Sequence, residues 1–256
     1  MIDDRKYTLF EHLSELRSRL LRALIAIALT TGVTFFFVDE IFHFLVRPIL
    51  PYLPEPKKLI VISPLEQVIA YLKIAVMGGI FAASPIILYQ VWRFVAPGLY
   101  PNEKKMVLPF VFLGTIFFLG GAAFAFWVFL PITFHFLIGV LPGDVIPQFT
   151  VERYYSLVTQ FLVAFGLVFE LPLILSLLSL AGVVTTKVLK RFRKYAIIGA
   201  FVVSAIITPT VDPYTQTLMA MPLILFYEIG ILFAWFTERR RQKDAAQQVA
   251  PIKVGS

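Results

Sequence analysis

From Met106 to Phe136 the chain runs without one Asp, Glu, Lys or Arg: MVLPFVFLGTIFFLGGAAFAFWVFLPITFHF. A helix that crosses a ~30 Å hydrocarbon core needs roughly 17–25 apolar residues. Inside lipid a segment must satisfy its own backbone polar groups, and a single run can do so only as a helix. Similar runs recur along the chain. They place about six spans near residues 21–38, 67–92 (with Pro85), 106–136, 154–180 (with Glu170 and Pro172), 195–207 and 214–236 (with Pro222 and Glu228). The third is too long for an upright crossing and should tilt or protrude. The fifth is short. Hydrophobic residues are 59% of the chain, where soluble domains hold about 45–50%, and mean hydropathy is +0.82. The alternating pattern of a β-barrel is absent. The expected fold class is an all-α membrane protein of about six transmembrane helices.

Loop charges set the expected orientation. Arg5, Lys6, Arg17, Arg19 and Arg22 precede the first span, and Arg93, Lys104 and Lys105 follow the second. Lys187, Lys190, Arg191, Arg193 and Lys194 separate the fourth from the fifth, and Arg239, Arg240, Arg241 and Lys243 follow the sixth. The opposite side offers Arg47, Lys57, Lys58 and Arg153 against Asp39, Glu40, Glu55, Asp144 and Glu152. Basic loops stay in the cytoplasm, so both termini are expected there. The net charge of +7 reports these loops, and no nucleic-acid partner is expected.

With no cysteine in the sequence, disulfides and cysteine metal sites are excluded. The charged start MIDDRKYTLFEHLSELRSRLLR carries no small-residue cleavage site, so no removable signal peptide is expected. The proline-rich loop 39–65 keeps apolar residues and reads as a structured cap on the outer face. No repeat relates the halves. Residues 1–244 read as one transmembrane domain and 245–256 as a disordered polar tail.

Five polar positions stand out. In FEHLSELRSRLLRAL, Leu13, Leu16 and Leu20 form a helical stripe, and Glu15 with Arg19 is a favourable i,i+4 pair. That segment is either an amphipathic lead-in at the interface or the carrier of an acid awaiting a cationic partner. In WRFVAPGLYPNEKK, Glu103 either complements a helix N-terminus or is a second acid on the same face. Glu170 lies in FGLVFELPLIL, where a charge at the bilayer centre costs at least ~2.5–3.5 kcal/mol. Beside Pro172 it should face a cavity or a neighbouring helix rather than lipid. In ITPTVDPYTQTLMAMP, Asp212 before Pro213 is a helix start signal, and Thr208, Thr215 and Gln216 add groups that a partner helix could bond. Glu228 is a further intramembrane acid, placed near the cytoplasmic interface.

Motifs of metalloproteases, serine hydrolases, P-loop and Rossmann proteins are missing, and His12, His43 and His135 lie on separate segments. No enzyme activity, cofactor or metal is expected.

Taken in order, EHLSELRSRLL, SPIILYQVWRFVAPGLYPNEKK, FGLVFELP, GAFVVSAIITPTVDPYTQTLMAMP and FYEIG resemble the TatC family, the multi-spanning subunit of the twin-arginine protein translocase. The match runs from about residue 10 to 235, and the tail departs from it in length and composition. The resemblance implies a receptor for twin-arginine signal peptides of folded cargo. It also implies small single-span partner subunits, homo-oligomers within the complex, contact with membrane lipids, and use of the proton-motive force in the cytoplasmic (inner) membrane. By motif match Glu15 and Glu103 receive the arginines, with Leu16, Arg17, Arg19, Phe94 and Tyr100 in the same recognition segments. Thr208, Asp212 and Gln216 match the partner-docking region, and Pro48 and Pro85 match structural positions. Short fifth and sixth spans would form a concave wall with Glu170 on its inner side. A proton- or cation-coupled small-solute transporter with Glu170 as coupling acid is the alternative, and its expected repeated halves are absent. A passive assembly scaffold is the third reading.

Overall fold

The computed structural model describes the backbone of residues 9–95, 107–142, 146–208 and 212–249. Among these residues the fold is all helical, and one isolated bridge between Ile60 and Thr150 is the extended pairing. Five helical stretches are long and apolar enough to span a membrane: Leu13–Phe35, Leu65–Phe94, Leu108–Gly139, Val151–Leu180 and Pro213–Arg239. The chain sorts into two compact units, Met1–Gly166 and Leu167–Ser256.

In the first unit, α1 (Leu9–Phe35) packs along α3 (Leu65–Val95). Without a hydrophobic driving force between helices in lipid, close backbone approach and hydrogen bonds hold such pairs. Both are present. A Cβ on Gly79 would lie 2.2 Å from Thr31 Oγ1 and 2.7 Å from the Thr31 nitrogen, so only glycine fits. Thr30 Oγ1 donates to the Gly79 carbonyl and Thr34 Oγ1 to that of Ala75, each at 2.7 Å. Pro85 stands inside α3 without breaking it. Proline has no N–H for the carbonyl four residues back, and here Ser84 Oγ donates to that carbonyl, Phe81 O, at 2.7 Å.

The loop after α1 is a folded cap. It holds α2 (Val38–Leu45) and a 3₁₀ turn, Leu50–Tyr52, with Leu45, Pro48, Ile49 and Leu53 buried. Tyr154 and Tyr155 OH donate to the carbonyls of Leu45 and Phe42 at 2.7 Å, fixing the cap to the start of α6 (Val151–Phe169). Ile60 joins the same anchor through Ile60 N–Phe149 O and Val151 N–Ile60 O, both 3.0 Å.

The third span is α4 (Val107–Phe124), a π-helical turn Ala125–Phe129, and α5 (Leu130–Gly139). The wide turn stands just before Pro131, which cannot bond the carbonyl four residues earlier; such turns absorb that mismatch without ending the helix. The span covers 32 residues, in keeping with a tilted or protruding crossing.

In the second unit, α7 (Leu171–Leu180), α8 (Thr186–Arg191) and α9 (Arg193–Ile207) each pack on α10 (Pro213–Val249). Here Gly230 approaches Pro172, where a Cβ would stand 3.3 Å from the proline Cα and 2.5 Å from Leu175 Cδ1. At fifteen residues α9 is short, about 22 Å long. The sixth helix is not short: α10 has 37 residues and its span-length apolar part has 27. The charged segment after Phe236 is made of good helix formers and contains no Pro or Gly before Val249, so nothing stops the helix. Residues 245–249 of the tail are therefore helical, and 250–256 lie outside the described residues.

Candidate functional site

The N-terminal acid sits on α1, whose register was visible in the leucine spacing. Glu15 is half-buried, and its carboxylate is already held. Arg19 Nε donates to Glu15 Oε1 at 3.0 Å, and the terminal nitrogen of the same guanidinium also contacts that oxygen. The side chains of Arg19 and Glu15 are 12% and 23% exposed. Arg17 and Leu16 are exposed on the same helix, as are Leu13 and Leu20. The structure thus offers one carboxylate engaged by an arginine of its own chain, flanked by an exposed cation and an apolar stripe.

Phe94 is half-buried at the end of α3, next to Trp92, which is buried against Phe110 with ring centroids 4.5 Å apart. Arg93 lies over the Tyr89 ring at 5.8 Å. The expected second acid, Glu103, and Tyr100 fall between residues 96 and 106, outside the described residues.

Glu170 occupies the turn between α6 and α7. Its carbonyl accepts from Ile174 N at 2.9 Å, and Pro172 lacks the N–H that would bond the Val168 carbonyl, so α6 gives way to α7 at this turn. At ten residues from Leu180 it lies roughly 15 Å inside that end of the span. The residue is 5% exposed, and Oε1 has no hydrogen-bond partner among the described residues. The carboxyl group is therefore inside the protein.

Glu228 does not stand alone in the span. It pairs with Arg193, the first residue of α9, at 2.7 Å, and both side chains are over 40% exposed.

Among the described residues of the α9–α10 hairpin, Asp212, Gln216 and Thr208 each make a hydrogen bond within it, while the buried Thr215 Oγ1 makes none. Asp212 Oδ1 accepts from Thr215 N at 2.7 Å, so it caps α10 with Pro213 as the first helical residue. Gln216 Nε2 donates to the Phe201 carbonyl at 3.0 Å and ties α10 to α9. Thr208 is buried and donates to Ser204 O at 2.8 Å. Beyond Tyr195 the exposed groups on α9 are apolar: Ile198, Val202 and Ile206 are each over half exposed.

One cluster was missed from the sequence. Lys73, inside the second span, bonds Glu152 Oε1 at 3.1 Å and Ser156 Oγ at 2.6 Å. It stands at an open groove of about 600 Å³ between α3 and α6, lined also by Leu72, Val76, Ile80, Gln160 and Val163. A lone lysine in an otherwise apolar run was the available signal. Among the described residues no group of His, Cys, Asp or Glu could hold a metal ion.

Comparison with known proteins agrees with this architecture. The model of the family described as Sec-independent protein translocase protein (TatC) matches residues 11–222. The Aquifex aeolicus protein of that name is 42% identical over 92% of this chain and 98% of its own. The one from Haemophilus influenzae is 34% identical over 95% of each. A crystal structure of the twin arginine translocase receptor TatC superposes with a TM-score of 0.80 at 43% identity, covering 88% of this chain and 99% of that one.

Proposed function

This chain belongs to the TatC family of Sec-independent protein translocase proteins, and on that premise we propose that it is the receptor and core subunit of a twin-arginine translocase. It would sit in the cytoplasmic membrane with both termini in the cytoplasm, α9 supplying a sixth crossing and residues 1–244 the transmembrane domain. It would act without catalysing a reaction, passing folded cargo at the expense of the proton-motive force. A solved TatC is described as the twin arginine translocase receptor, which supports the reading.

The observation that carries the site assignment is the grip of Arg19 on Glu15. A carboxylate that binds one guanidinium through charge-assisted hydrogen bonds to one oxygen can bind another. Signal-peptide arginines would displace Arg19 from Glu15 and reach Glu103, with Leu16, Arg17, Phe94 and Tyr100 framing them. Lysine lacks the planar fork and would substitute poorly. Thr208, Asp212 and Gln216 mark the hairpin where a single-span partner docks. Since their polar groups are turned inward, the exposed apolar face of α9 would make the contact. Several copies would assemble in the working complex. Glu170, buried with one oxygen unpaired among the described residues, would bond water or a polar group of a partner helix during transport.

Titration of a twin-arginine peptide into the purified protein tests this. Binding should weaken in Glu15→Ala and Glu103→Ala and should discriminate against a twin-lysine peptide. Equal affinity across all of these removes the assignment.

A further inference from the structure

The unit Leu167–Ser256 carries a cavity of about 390 Å³ lined by Thr186, Lys187, Lys190, Trp235, Glu238 and Arg239. Its depth in a membrane follows from the chain: Arg239 is the last residue of the span-length segment of α10. The cavity therefore opens where the helix leaves the hydrocarbon, the level at which tryptophan settles.

Its walls are fixed. Thr186 N and Oγ1 donate to Glu238 Oε2 at 3.1 and 2.5 Å, and Tyr227 OH donates to the Leu189 carbonyl at 2.9 Å. Leu189, Ile231 and Ala234 are buried between α8 and α10. With α8 held this way, Lys187 and Lys190, three residues apart on one face, are left exposed. Neither has an ion pair or hydrogen bond among the described residues. Arg239 lies 4.0 Å over the Trp235 ring and has no carboxylate partner among the described residues. The lining thus holds three cations and one acid, a net of 3 − 1 = +2, and the acid is occupied by Thr186.

An apolar track continues from the cavity. Leu232, Trp235, Phe236 and Arg239 follow the i, i+3, i+4, i+7 spacing of one helix face. Leu232 and Phe236 are 50% and 52% exposed. A ligand that fits both parts has an anionic head and an apolar tail.

We infer that this cavity seats the headgroup of an anionic phospholipid, with Lys187, Lys190 and Arg239 on its phosphate and an acyl chain along Leu232 and Phe236. Basic pockets between helices at a membrane surface take such headgroups. Arg239, stacked on Trp235, presents its planar N–H edge to phosphate oxygens. A soluble phosphate would use the cations and leave the apolar track without a role.

The test measures lipid preference by native mass spectrometry and in nanodiscs, comparing phosphatidylglycerol with phosphatidylcholine. Each basic side chain at a membrane surface is worth about fivefold in binding. Lys187→Gln/Lys190→Gln should lose about 25-fold of the preference, and adding Arg239→Gln should lose more. The control Lys58→Gln/Arg153→Gln removes the same charge elsewhere and should keep the preference, and circular dichroism checks that all variants fold. No preference in the unmodified protein, equal loss in the control, or displacement of bound lipid by millimolar inorganic phosphate overturns the inference. Both nanodisc leaflets are alike, so the result does not depend on which way the chain inserts. Twin-arginine peptide titration on the same variants reads the receptor function separately.

Discussion

Removing the Glu15 carboxylate and removing the Arg19 guanidinium should act in opposite directions on signal-peptide binding. The two side chains form one i,i+4 pair on α1. Such a pair is worth about 0.3–0.5 kcal/mol in a helix. A hydrogen bond from cargo arginine to the carboxylate is worth about 1.5–3 kcal/mol. On the proposed reading cargo binding first releases Arg19, so Arg19→Gln should tighten a twin-arginine peptide by about twofold. Glu15→Ala should weaken it about 10–150-fold. The smaller effect is measurable by fluorescence anisotropy of a labelled peptide in detergent, with Glu15→Gln included to keep side-chain volume. If Arg19→Gln weakens the peptide as much as Glu15→Ala does, Arg19 positions the acid and the displacement reasoning is refuted.

Gly79→Ala should destabilise the α1–α3 pair by about 1–3 kcal/mol through overpacking against Thr31, seen as a lowered Tm in detergent; an unchanged Tm would show that α1 shifts freely. Gln216→Ala should cost about 0.5–1.5 kcal/mol by freeing the Phe201 carbonyl, and chemical denaturation of the purified protein checks it. Cysteines at Ile198 or Ile206 should crosslink to a single-span partner helix, whereas crosslinks confined to the third span would move the docking site there. Glu170→Gln keeps an acceptor and should retain more cargo export than Glu170→Ala; equal loss in both would assign the acid to proton transfer.

Apolar run length made the five span-length helices legible, because lipid leaves a chain few alternatives to a helix. Asp212 was legible as a cap because the Asp-Pro pair encodes a local geometry, and the Glu15–Arg19 pair because it lies within one helix. The π turn at Ala125–Phe129 was not read, although Pro131 marked it: proline says that a carbonyl is freed, not how the helix adjusts. The length of α10 was underestimated because hydropathy ends at Phe236 while helix propensity continues. The Lys73–Glu152–Ser156 cluster joins residues 79 and 83 positions apart, a pairing that no local pattern encodes. The cationic cavity at Lys187, Lys190 and Arg239 escaped for the same reason, since loop charge was read for orientation and not for position on two packed helices.

The central claim is that the Glu15 carboxylate receives an arginine of the signal peptide. Photo-crosslinking tests it most directly, using a twin-arginine peptide with a photoreactive group beside the arginines and the protein in lipid bilayers. The account predicts label concentrated between Leu13 and Arg19 and within residues 96–106, competed by unlabelled twin-arginine peptide, not by twin-lysine peptide, and lost in Glu15→Gln/Glu103→Gln. Label spread over the α9–α10 hairpin, or label near Glu15 that both peptides compete equally, would contradict it.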